Sequence, residues 1–265
     1  MLLLGLIMKQ KIGKIQKFIY AYCKNVENGL NERWRKIPVN LYHSEIYEAI
    51  GCLLARQATL TIYLAMSPTI WNGHIAPLIL RCMTDAHITL AWILIEPHIR
   101  ARKYILYGLG QEKLQIEHLI AKNEEEHNER IEQMIEVKRI WLNSQRIDYL
   151  TEVDVGNWAG LNTREMAKEA NCEGLYNFAY TPFSGASHNM WQHVSIYNAK
   201  QCANPMHKYH LVPDIIELGS DIDYVYRSAK YVTRSYIEID KKYDLKIKET
   251  LPLNFFKDEY DKFNE

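Results

Sequence analysis

The chain has 265 residues, enough for one sizeable core with a protrusion and too few to promise two full domains. Hydrophobic residues make up 48% and charged residues 24%, with only 12 Gly and 8 Pro, which excludes general disorder because disordered chains lack the apolar surface that offsets ordering entropy. The 32 basic and 32 acidic side chains cancel, excluding a global field that would draw the protein onto nucleic acid or an anionic bilayer and leaving such roles to a local patch.

The opening run from Leu2 to Ile7 has no basic residue ahead of it and no small-residue cleavage site after it, which argues against a signal peptide. A first helix then places Ile15, Phe18, Tyr22, Val26 and Leu30 on one stripe and ends near Trp34, ahead of Pro38. A second starts at Ser44 as N-cap, with Glu45 just inside, and runs to about Met66, where Ser67-Pro68 interrupts it. The third covers about Gly73 to Glu96 and holds the most apolar stretch, His87 to Ile95. That stretch is about half of the roughly 20 residues a membrane span needs, so it reads as a buried core helix and no membrane partner is expected. A fourth helix follows Pro97, which suits a first helical turn.

Residues 111–147 are far more charged, with Ile131, Met134, Ile135 and Ile140 as a thin stripe, and predict an exposed helical hairpin. Asp148–Gly174, containing Asp154, Gly156, Asn157 and Gly160, reads as an irregular connection with a short helix from about Thr163 to Ala170. A sixth major helix opens on Thr181 as N-cap with Pro182 at the first helical position. The last long helix starts near Pro213 and repeats Ile222, Val225, Ala229, Val232, Tyr236 and Ile239, the three-four spacing of a seam packed on another helix. The tail from Leu251 is a loose or docked end. Alternating strand-like runs are missing from this reading.

The expectation is an all-α protein: an antiparallel helical bundle with core about 7–110 and 174–245, a charged hairpin and connection over 111–173, and a C-terminal tail over 246–265. Five cysteines, Cys23, Cys52, Cys82, Cys172 and Cys202, are an odd set without C-x-x-C spacing, which suits a reducing cytoplasm.

Polar groups inside apolar helices mark the candidate sites, because burial without a partner costs a polar group about 1–3 kcal/mol. Arg81 and Asp85 are four apart in the third helix and can pair, either as a structural lock or as part of a functional site, with His87 two residues further on. In the sixth helix Ser184 and His188 share a face, Tyr180 stands just outside the cap, and Gly185, Ala186 and Ser187 are small enough for close approach. Asp85, His87, His188 and His193 could supply metal ligands, but no His-Glu-x-x-His spacing is present, so neither a metal nor a cofactor is expected. Met206 to His210, with two His three apart, reads as loop surface.

The set Arg81 and Asp85, Glu96-Pro97 with Arg100 and Tyr104, then Tyr180, Ser184 and His188 resembles a bacterial all-helical family of unknown function over most of residues 45–245. Its recurring positions are an Arg followed four residues later by an acid, usually Glu, and a Tyr-x3-Ser-x3-His element; Asp85 departs from the usual Glu. Arg81 and His87 also resemble the Arg-x4–6-His motif of HEPN ribonucleases. That second resemblance implies metal-independent cleavage of RNA by a homodimeric toxin or defence effector with an antitoxin or partner protein. On that motif Arg81 would hold the developing charge and His87 would act as base or acid. Taken with the polar set of the two helices, the candidate catalytic residues are Arg81, Asp85, His87 and His188, with Arg81 and His188 meeting across helices, and the candidate binding residues are Tyr180, Ser184, Arg100 and Tyr104. The competing reading is a non-catalytic interaction or sensor module, in which Arg81–Asp85 is structural and the charged hairpin is the docking surface.

Overall fold

A computed structural model describes residues 2–145 and 159–264. Its first half is a run of long helices: α1 Leu2–Lys36, α2 Ser44–Ala65, α3 Ala76–Ile95, α4 Pro97–Glu126 and α5 Glu129–Asn143. The second half is more broken, with α6 Thr163–Glu169, α7 Glu173–Leu175, a π-helical turn Tyr176–Tyr180, α8 Thr181–Ser187 and α9 Trp191–Tyr197. Two short strands follow, β1 Ala199–Gln201 and β2 Leu211–Pro213, then α10 Asp223–Tyr243 and α11 Pro252–Asn264. The protein is all-α, as its periodicity predicts, with one antiparallel two-stranded ribbon in which Ala199 pairs with Pro213.

The most apolar helix, α3, lies at the centre of the bundle. Leu80, Met83, Ile88, Leu90 and Ile93 are fully buried on it, against Leu54 and Leu64 of α2 and Val225, Val232 and Ile239 of α10. Among the described helices, α3 alone is long and apolar enough to cross a bilayer, and its packing against α2, α8 and α10 accounts for that character. It starts at Ala76 rather than near Gly73, because a 3₁₀ turn at Pro68–Ile70 and the close approach of the Tyr197 ring to Gly73 intervene. A Cβ at Gly73 would stand 2.1 Å from Tyr197 Cε1, so any side chain there would have to displace that ring.

The hairpin begins inside α4 rather than at residue 111. α4 runs on without a break to a left-handed His127 (φ 48°), and Asn128 accepts from the Arg130 N–H at 2.9 Å to start α5. The pair is held by its own small cluster, including Leu106, Leu109, Ile116, Ile131 and Ile135, separate from the main core.

Two further boundaries differ from the sequence reading. α8 has Tyr180, not Thr181, at its N-cap, because the π turn already coils the chain and Tyr180 is helical (φ −56°, ψ −52°). The last long helix begins at Asp223, ten residues after Pro213, since Pro213 ends β2. Of the two alternatives for the C-terminal segment, loose or docked, the docked one holds: it is a helix whose Phe256 is buried edge-on against Phe18 (5.0 Å) and Tyr22 (5.4 Å) of α1. Asp154, Gly156 and Asn157, read as part of an irregular connection, lie outside the described residues.

Candidate functional site

Arg81, on the face of α3 turned toward α8, is the organising residue. Its Nε donates to Ser184 Oγ at 2.9 Å, and Ser184 Oγ donates onward to the Tyr180 carbonyl at 2.8 Å, so the hydroxyl's lone pairs are left for the arginine. The guanidinium carbon lies 3.2 Å from the centroid of the Tyr180 ring, and Tyr180 in turn stacks on Tyr176, with ring centroids 4.8 Å apart and planes 21° apart. The π turn brings this about: its wider coil sets Tyr176 and Tyr180 face to face and aims both at α3. Two segments 103 residues apart therefore meet around one permanent cation.

Asp85 sits one turn along α3 with Oδ1 3.6 Å from Arg81 Nη1, an ion pair without hydrogen-bond contact, and half of its side chain is exposed. Partial desolvation pushes its carboxyl above the usual carboxylate range, and the Arg81 charge opposes that shift. Tyr104 of α4 belongs to the same neighbourhood. Burial pushes its hydroxyl up, and the nearby Cys52 and Asp85 add to the shift. The Arg81 side chain is 14% exposed, so part of it reaches solvent while its Nε is held by Ser184.

His188 stands one turn beyond Ser184, exposed, as the C-cap of α8. The helix stops there because Asn189 is left-handed (φ 49°) and the Met190 N–H reaches back to the Gly185 carbonyl at 2.9 Å. Gly185 is small but not crowded. A Cβ there would meet Gln192 and His193 at ordinary contact distances of 3.6 and 3.7 Å.

Two expected site residues lie elsewhere. His87 is 3% exposed and turns into the seam with α10, its Nδ1 3.0 Å from Ser235 Oγ. Six residues turn a helix through about 600°, which leaves it about 120° from Arg81. Burial first, then the Arg234 charge, pushes its imidazole down to about 4, so it is a neutral core histidine. Arg100 forms a separate joint. It donates to the Trp92 carbonyl (2.9 Å), Glu96 (3.1 Å) and Glu169 (3.1 Å), lies over the Trp92 ring, and so ties α4 to α3 and α6.

His193 belongs to another place again, beside Tyr197 and His74, along a cavity of about 400 Å³ lined also by Pro77, Tyr224 and Arg227. The four residues weighed as metal ligands thus do not converge. The sequence reading missed Tyr176, whose signal was aromatic i,i+4 spacing with Tyr180. It also missed a Cys-x4-His-x2-His arrangement in the β1–β2 loop, where Cys202, His207 and His210 bring ligand atoms within 4.8 Å of one another.

Residues 47–202 match a family described as a family of unknown function (DUF5677), a span that contains Arg81, Asp85, Tyr180, Ser184 and His188. No curated protein and no solved structure matches the chain.

Proposed function

The chain belongs to the DUF5677 family of unknown function, and we propose that it cleaves RNA without a metal, using Arg81 and His188. One observation carries this reading: Arg81 is clamped by Ser184 and Tyr180, is only loosely paired with Asp85 and stays partly exposed, and its partner Ser184 stands one helical turn before the exposed His188. A guanidinium so fixed can grip a phosphate in two places and hold the charge that develops when a 2′-hydroxyl attacks it. His188 moves the proton from the 2′-hydroxyl to the departing 5′-oxygen as the P–O5′ bond breaks and a 2′,3′-cyclic phosphate is left. Asp85 is a second proton-accepting group at the rim, and the Tyr176–Tyr180 stack offers an aromatic edge to a base. His87 has no part in it. The same reading makes the protein a cytoplasmic, homodimeric toxin or defence effector held in check by an antitoxin or partner protein.

The test is cleavage of single-stranded RNA in the presence of a chelator, together with growth arrest on expression. The double variant Arg81→Ala/His188→Ala should lose at least about 100-fold in rate, with its circular dichroism unchanged. Toxicity and cleavage that survive the double replacement would remove the nuclease reading.

A specific observation favours a second reading, a non-catalytic interaction module. Met134, Val137, Ile140 and Trp141 form an exposed apolar stripe on α5. In that case replacing Val137 and Trp141 by Ser abolishes the cellular effect, and the Arg81 variant does not.

A further inference from the structure

The ribbon β1–β2 closes on itself through the Cys202 N–H, which donates to the His210 carbonyl at 2.9 Å. Between those ends the chain makes two tight turns: the His207 N–H donates to the Asn204 carbonyl (3.0 Å) and the His210 N–H to the His207 carbonyl (3.2 Å). Tyr209 is left-handed (φ 63°), an uncommon conformation for a bulky residue and one that turns the loop's last residues back on its first. The result is a thiol and two imidazoles facing one another on a loop that packs nothing into the core. We propose that Cys202, His207 and His210 form a binding site for a divalent cation of the zinc class, independent of the Arg81 site.

Distances support that chemistry. A zinc ion with a thiolate at about 2.3 Å and an imidazole nitrogen at about 2.0–2.1 Å in tetrahedral geometry sets sulfur and nitrogen about 3.6 Å apart. Cys202 Sγ and His207 Nδ1 are 3.7 Å apart. One ligand atom of each of the three residues lies within 4.8 Å of the others, so His210 needs to close by little more than about 1 Å. Thiolate with imidazole selects zinc-like ions over magnesium or calcium, and three protein ligands leave a fourth position for water or a partner's side chain.

A neighbouring amide shows what binding displaces. Asn204 Oδ1 accepts the Met206 N–H at 3.0 Å, which identifies the other amide atom as the donor 3.2 Å from His207 Nε2. The ring proton then sits on Nδ1, facing sulfur. Cation binding releases the Cys202 proton, and the His207 proton shifts from Nδ1 to Nε2 as the Asn204 amide turns away. The bound ion pins a loop whose exposed tip carries Met206 and Tyr209. Cys202 closes the segment matched by the family, and His207 and His210 lie past it.

The experiment is a titration with Co²⁺ as a spectroscopic stand-in for zinc. It uses the full chain carrying Cys52→Ser and Cys82→Ser, so that the two exposed thiols elsewhere are silent. One equivalent should give a thiolate-to-cobalt charge-transfer band and tetrahedral visible bands, both removed by one equivalent of Zn²⁺. Adding Cys202→Ser should abolish the charge-transfer band. His207→Ala and His210→Ala should each weaken binding at least about tenfold, close to 1.4 kcal/mol. The helical circular dichroism should stay the same, since the loop contributes no residue to the core. No band at one equivalent, a band that persists in Cys202→Ser, or unchanged affinity in both histidine variants would overturn the assignment.

Discussion

Among the described residues, Arg33 and Arg81 each lie over a tyrosine ring and pair with an aspartate, and they do opposite things. Arg33 of α1 lies 4.1 Å over Tyr236, donates to Asp240 at 2.7 Å and to the Gly29 carbonyl at 2.9 Å, and is 1% exposed. Arg81 lies 3.2 Å over Tyr180, meets Asp85 only at 3.6 Å, and is 14% exposed. Arg33 is sealed from solvent, whereas part of the Arg81 side chain reaches it. A cation on an aromatic face is therefore no sign of function in itself; what matters is whether the charge is already spent on an acid in contact.

The sharpest way to break this contrast is Arg33→Ala. It leaves Asp240 facing the core without its partner and should cost about 3–5 kcal/mol in urea unfolding. A loss below about 1 kcal/mol would show that the sealed clamp is not a lock.

The next effect is pH dependence on the sealed side of α3. His87 is held near 4 in the folded protein and titrates at about 6.5 when unfolded, so the unfolded chain binds the extra proton. Stability from this group is full above pH 6.5 and falls as pH drops toward 4, by up to about 3 kcal/mol. His87→Asn should flatten the melting temperature across that window. An unchanged slope would mean the imidazole is not kept neutral by burial.

The smallest stability effect belongs to the open clamp. Arg81→Ala should cost about 1 kcal/mol or less, because Asp85 is half exposed and can take up water. If the loss approaches that of Arg33→Ala, Arg81 is a structural lock and the phosphate-gripping reading goes with it.

Much of the fold was legible because helix formation leaves a local record. The spacing of Ile222, Val225, Ala229, Val232, Tyr236 and Ile239 marked the buried stripe of α10, and Pro97 marked the start of α4. The misplaced start of α10 has an equally physical cause: β1 and β2 are three residues each, too short to leave an alternating pattern. The candidate site was legible only as parts. Arg81 and Asp85, and Tyr180, Ser184 and His188, could be picked out as polar intrusions in apolar helices. Helix periodicity set His87 about 120° round from Arg81, but nothing local showed that it faces α10, or that Arg100 is consumed by Glu96, Glu169 and the Trp92 carbonyl.

By itself the sequence determined the helices, their buried faces and the chemical types available, since periodicity and capping act over a few residues. Only the tertiary structure decided which of two similar arginines is sealed and which keeps an open edge, and which histidine is core. The same holds for the approach of Cys202 to His207 and His210. Exposure and partnership are properties of what packs from a distance, here across 103 residues between Arg81 and Ser184 and 207 between Arg33 and Asp240. No short window of the chain carries that information.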